Sequence, residues 1–336
     1  MSAIWKNGLI GAFLLGFIGL LGGFNATKPR ILVLHTGNPN SAWVRDVDLG
    51  IQQILKNNRR PVSVQWHYLG KSYTNQLNSA AVDAHRAIAQ TDPDILIAVD
   101  DESNAHVARY YAGRNRPKIL FVSINQSPEW YGYVGAKNVS GIAEHLPLTA
   151  VRDALLAMRP GQALRIAALG VNNDTGRAEL AQVQSFDWSP HRLAFAEAAG
   201  NFADWQAVVG RVANQAEVLL VLSYGGLERG NAEHQVVPGA EIAQWVETNT
   251  PLLPLGMHIN YVEDGGGLSF SPSPVDFGQQ AMNMALTWLD QPAVAPPVVT
   301  SSHFHVALRP ARLAAHNVQL PAIYVEAARI GNAYFP

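Results

Sequence analysis

No cysteine occurs among the 336 residues, which excludes disulfides, thiol nucleophiles and cysteine-based zinc sites together. Charge is sparse as well: 24 Lys and Arg against 26 Asp and Glu leave a net charge of -2, with no basic cluster. The electrostatic footprint of a nucleic-acid binder is therefore missing. No G-x-G-x-x-G follows an expected strand, and neither G-x-x-x-x-G-K-[ST] nor G-x-S-x-G occurs, so phosphate cradles and the hydrolase nucleophile elbow are excluded. Asp174-Thr175-Gly176 matches the aspartic-protease tripeptide, but it occurs once and leads into a helix. His303 and His305 share one strand face without a third ligand at useful spacing, and Asp100-Asp101-Glu102 supplies too few oxygens for Ca²⁺ or Mg²⁺. Neither a metal nor a cofactor is expected.

What is present is apolar residue in quantity, 48% of the chain, enough for two cores of ordinary size. One apolar run stands apart: Gly8 to Phe24 is uncharged over 17 residues and follows Lys6. Its length lies between a signal-peptide core and a minimal membrane span. Residues 1–28 are therefore expected to be a signal peptide or an uncleaved anchor, placing the remainder in the periplasm or on the extracytoplasmic face of the inner membrane. Phe24 stands where cleavage after Ala26 prefers a small residue, and the lack of cysteine excludes a lipoprotein.

From Pro29 onward strands and helices alternate. Strands are expected at 30–35, 62–68, 94–99 and 118–124, with helices at 41–56, 77–89 and 104–112 between them. The series restarts with a helix at 148–158, a strand at 165–169, a helix at 175–184 capped by Asp174, and a strand at 191–198. A helix at 202–213, a strand at 217–222, a helix at 240–248 and a strand at 251–257 follow. The 191–198 segment is alanine-rich, and its place in the series decides for strand over helix. Such alternation implies parallel, doubly wound sheets with right-handed crossovers. A helix at 275–289 and a strand at 298–308 close the chain. The expected organisation is two α/β lobes, 29–124 plus 266–291 and 146–258 plus 298–336, joined by three crossovers at 125–145, 259–265 and 292–297.

The stretch 118–141, KILFVSINQSPEWYGYVGAKNVSG, changes character in its middle. A buried strand gives way to polar and aromatic residues at its carboxyl end, where open α/β sheets place ligands. This stretch together with PRILVLHTGNPNSAW, PDILIAVDD, RIAALGVNNDTGRAEL and EDGGGLSFSPSPVDFGQQAMNMAL resembles the substrate-binding proteins of ABC transporters with the type I periplasmic-binding-protein fold. The likeness is to the branch of tryptophan- and tyrosine-type binders, and it covers nearly everything from Pro29. The WYG and NVSG stretch resembles extracellular sensor domains of bacterial signalling proteins equally well.

The resemblance implies two lobes closing on a small polar ligand, an amino acid or similar, without catalysis. It also implies a membrane partner, an ABC permease or a sensor protein, and a monomer. Loops at strand carboxyl ends and helix N-termini then supply the ligand contacts. In the first lobe these are Thr36, Asn38 and Ser41, the acidic pair Asp100 and Asp101, then Asn125, Gln126 and Trp130. In the second they are Asn173, Thr175 and Gly176 at a turn suited to a carboxylate, followed by Tyr224 and His258. An exported α/β enzyme acting on a small substrate is the alternative of a different class.

Overall fold

The computed structural model describes residues 3–70, 77–230, 235–301, 303–316 and 318–336. Twelve strands make two six-stranded sheets. The strands are β1 Arg30–His35, β2 Ser63–Tyr68, β3 Ile95–Val99, β4 Lys118–Ile124, β5 Val139–Ala143, β6 Arg165–Val171, β7 Arg192–Ala199, β8 Val218–Val221, β9 Leu253–Gly256, β10 Leu268–Pro272, β11 Val299–Thr300 and β12 Phe304–Leu308. The first sheet runs β11-β5-β4-β3-β1-β2 and the second β12-β10-β9-β8-β6-β7. All pairings within them are parallel except β10 with β12. The alanine-rich 192–199 segment is a strand, as its place in the alternation requires.

The central strands are apolar along their whole length because helices cover both faces. In β1, Leu32 and Leu34 face one core with Phe121 and Tyr133, whereas Ile31 and Val33 face the other with Phe277 and Trp288. The second core depends on helix Pro274–Asp290, which lies against helix Ala42–Asn57 at backbone distance. A Cβ on Gly278 would stand 2.0 Å from Val47 O, and one on Gly50 would stand 2.1 Å from Val275 O. Gly278→Ala is therefore expected to destabilise by about 1–3 kcal/mol, the usual cost of overpacking, despite alanine's better helix propensity. Chemical denaturation checks this, and an unchanged midpoint would contradict it.

Sheet pairing relocates all three expected crossovers. The first, 125–145, contains β5, which pairs with β4 in the first sheet. The chain therefore leaves only after Ala143, and by Leu148 it is in a helix packed under the second sheet. The second was expected at 259–265, but β10 still pairs with β9. Of the stretch 266–291, only helix Pro274–Asp290 joins the first lobe, so the crossing falls at Ser273. The third was expected at 292–297, ahead of one strand at 298–308. Instead β11 pairs with β5 and β12 with β10, so the crossing lies between Thr300 and Phe304, with Ser302 outside the described residues.

Two helix starts also differ from expectation. Asp100 takes φ +71 directly after β3, so the helix begins at Asp101, ends at His106 and is followed by a 3₁₀ turn at Ala108–Tyr111. Asn173, rather than Asp174, caps helix Asp174–Ser185. At the amino end, Ala3–Thr27 is helical, with Phe13, Leu14, Leu15, Phe17 and Ile18 exposed. Among the described residues, no helix is long and apolar enough to cross a membrane.

Candidate functional site

The segments that follow β1, β3, β4 and β5 meet those that follow β6, β8 and β9 around a cavity of about 250 Å³. Strand ends aim backbone and side chains at the cavity, which is why loops dominate its wall. Eight of the expected residues line it: Asn38, Ser41, Asp100, Asp101, Asn125, Thr175, Tyr224 and His258. Ser41 also caps helix Ala42–Asn57, its Oγ accepting from Val44 N at 3.4 Å.

Five expected residues stand apart from the cavity. Thr36 is buried, bonded to Val99 O and Ser103 N. Gln126 offers only its backbone N–H, to Asp101 Oδ1 at 3.2 Å. Trp130 is 42% exposed and packs against Tyr131 under the Arg109 guanidinium. Asn173 caps the helix at Gly176, its Oδ1 accepting from Gly176 N at 2.8 Å, while its own Nδ2 is buried without a partner among the described residues. That bond occupies the amide expected to receive a ligand carboxylate.

Asp101 is the fully buried junction of the site. It accepts from Asn125 N at 2.9 Å, Gln126 N at 3.2 Å, Asn125 Nδ2 at 3.3 Å and the Tyr131 hydroxyl. Across the cleft, Thr175 Oγ1 donates to its Oδ2 at 2.9 Å. Burial raises the Asp101 pKa, and these donors pull it back.

Four residues that the sequence reading did not single out complete the centre. Trp43, on helix Ala42–Asn57, donates Nε1 to Asp100 Oδ1 at 3.0 Å and meets the His258 ring edge-on at 6.0 Å. Ser123 sits at φ +57 where β4 slips register against β5. This irregularity re-aims its hydroxyl at Glu144. Glu144 is buried at the start of the first crossover, and Glu179 stands behind His258. A carboxylate two residues past an N-V-S-G-I strand was the available signal for Glu144, hidden because the whole stretch read as linker.

His258 Nε2 donates to Glu179 Oε1 at 2.6 Å. Burial pushes the His258 pKa down, but Glu179, Glu144 and Asp100 together overcome this and raise it to about 9. Burial lifts Glu144 to about 8, against the opposing pull of His258 and Ser123. Burial also lifts Asp100 to about 6, against His35. Glu102 is raised well above the usual range by burial and then by its neighbour Asp101.

Ser223, His258 and Glu179 invite comparison with a hydrolytic triad, and the geometry rejects it. Ser223 Oγ lies 3.2 Å from His258 Nε2, the same nitrogen that contacts Glu179, and it donates to Glu179 Oε1 at 2.7 Å. A triad needs nucleophile and acid on opposite ring nitrogens. Among the described residues, no trio of His, Asp or Glu is placed to hold a metal.

No protein-family model and no curated protein matches the chain. Solved structures do. A domain from Streptococcus pneumonia described as an ABC domain in complex with L-Trp is 16% identical, with a TM-score of 0.66 over 88% of this chain and 98% of that one. A conserved domain protein from Vibrio cholerae is 14% identical, with a TM-score of 0.65 over 90% of this chain and 98% of that one. A leucine-binding protein from Thermotoga maritima is 16% identical, with a TM-score of 0.56 over 80% and 84%. At such identities the likeness is one of fold, and the chain has the two-lobed α/β fold of the type I periplasmic binding proteins.

Proposed function

We propose that the protein is an extracytoplasmic solute-binding protein whose two lobes close on a small polar molecule and present the closed form to a membrane partner. The observation that carries this reading is the cavity between the two sheets. Both lobes contribute polar groups to it, and the bond from Thr175 to Asp101 joins them directly across it. The structural relatives include proteins described as binding tryptophan, leucine and sugars, and the misdirected Ser223, His258 and Glu179 geometry argues against turnover. An ABC permease is the favoured partner. The exposed apolar helix at Ala3–Thr27 favours tethering as an alternative, in which occupancy is reported to a sensor. N-terminal sequencing of the mature protein separates a cleaved carrier from a tethered one.

Closure is the test. A saturating solute stabilises by mass action, by about 2.7 kcal/mol at a hundredfold excess over Kd. Screening amino acids, sugars, amines and nucleosides by thermal shift should find a binder that also reduces the radius of gyration in X-ray scattering. A binder that leaves the radius unchanged would refute closure, and no shift with any solute would refute solute capture.

A further inference from the structure

We infer that the cleft is built for a small organic cation without a carboxylate, an amine held by Glu144, Glu102 and Asp100 between the aromatic walls of Trp43 and Tyr224. The inference rests on the solute-binding reading and narrows it to a ligand class.

Two buried oxygens carry it. Glu144 Oε1 and Glu102 Oε1 have no hydrogen-bond partner. Their residues are 1% and 4% exposed, and both line the cavity. A buried carboxylate oxygen without a donor is strongly disfavoured, and an ammonium entering the cavity supplies one. The opposite pole is missing. Among the described residues no Lys or Arg lines the cavity, and the cation there, His258, already donates to Glu179. The Gly176 amide is taken by Asn173. An amino acid would therefore turn its own carboxylate toward the acidic side chains Asp100, Asp101, Glu102 and Glu144. A neutral sugar would reach the oxygens but, unlike a cation, would do nothing to favour their ionised forms. A divalent ion lacks a converging trio among the described residues. Trp43 and Tyr224 suit an organic cation, since aromatic faces attract positive charge.

Proton linkage supports the same choice. The groups facing Glu144 are Ser123 from β4, Asp100 after β3, Glu179 from helix Asp174–Ser185 and His258 after β9. Burial keeps Glu144 protonated near neutrality. An arriving cation favours its ionised form, so binding releases a proton and tightens as pH rises toward 8.

The test is calorimetry on the full chain in mild detergent. The probes are 1,4-diaminobutane, ethanolamine and choline, compared with leucine, tryptophan, arabinose and magnesium chloride. At least one amine should bind, with proton release read from buffers of different ionisation enthalpy. Glu144→Gln should weaken that amine tenfold or more without lowering the melting midpoint of the free protein, and Asp100→Asn should weaken it as well. Binding of amino acids, sugars or magnesium with no amine binding overturns the inference and leaves the solute-binding reading standing. Unchanged amine affinity in both variants also overturns it. Failure of every solute class to bind brings down the solute-binding reading together with the inference.

Discussion

Asp101→Ala is expected to destabilise the protein by roughly 3–5 kcal/mol, the cost seen when one member of a buried charged network is deleted. Asp101 is 0% exposed and serves the backbone amides of Asn125 and Gln126, the Tyr131 hydroxyl and Thr175 Oγ1. Alanine leaves these donors facing a void. Each unsatisfied buried group costs about 1–3 kcal/mol, and the part-buried ones regain some of that from water. Asp101→Asn keeps the shape but turns an amide N–H₂ toward donors, so it should recover little. Urea denaturation followed by tryptophan fluorescence measures both variants. A loss below about 1 kcal/mol for alanine, within the range of an ordinary hydrogen bond, would show that the junction is not structural. The Thr175 bond adds a second readout: if Asp101 links the lobes, the alanine variant should also show a larger radius of gyration without ligand.

Raising the pH from about 5 to about 9 should destabilise the ligand-free protein. The Glu144 pKa is raised from 4.5 to about 8 on folding, so between those values the folded state holds a proton that the unfolded state has released. Stability from this group is intact below 4.5 and declines as pH climbs through 8. His258 moves from 6.5 to about 9. Its contribution is complete below 6.5 and is lost as pH rises through 9. Both groups act in the same direction. The combined loss is on the order of 3–5 kcal/mol, discounted from 1.36 kcal/mol per pKa unit because the two groups stabilise each other. Denaturation midpoints at pH 5, 7 and 9 check the trend, and a flat profile contradicts it. Glu144→Gln removes the buried charge altogether and should make the protein more stable than the parent at pH 9.

The architecture was legible in the sequence because it rests on period and apolarity. β3, ILIAV, is buried at every residue, and the apolar faces of helices Ala42–Asn57 and Pro274–Asp290 announce themselves by spacing. The crossovers were not legible. Val139–Ala143, with Gly141 inside it, reads as part of a crossover, and Val299–Thr300 merges with 304–308 into one strand at 298–308. Only pairing with β4 and β5 identifies them.

The site divides in the same way. Asp100, Asp101, Asn125, Thr175 and His258 were found because each follows a strand. Trp43 was hidden by helical spacing, since one face of an aromatic ring packs on Phe277 while its N–H reaches Asp100. The expected carboxylate receptor failed for a local reason: Asn173 accepts from Gly176 N, and no pattern in N-N-D-T-G reveals which asparagine turns inward. Asp100 and Ser123, neither of them glycine, both adopt positive φ at adjacent strand ends. Strain of this kind persists where surrounding structure holds it in place, and propensity cannot anticipate it.

The swap of helix Pro274–Asp290 onto the first lobe sets an order of completion during synthesis. One face of the first sheet, with Ile31, Val33, Ile97 and Val122, is covered by Phe277, Met282 and Trp288. These come from a part of the chain that follows most of the second lobe. A ribosome translating from the amino end therefore leaves that face covered only by helix Ala42–Asn57, through Val47 and Ile51, until Asp290 has emerged. The earliest-made lobe is therefore among the last to complete its core.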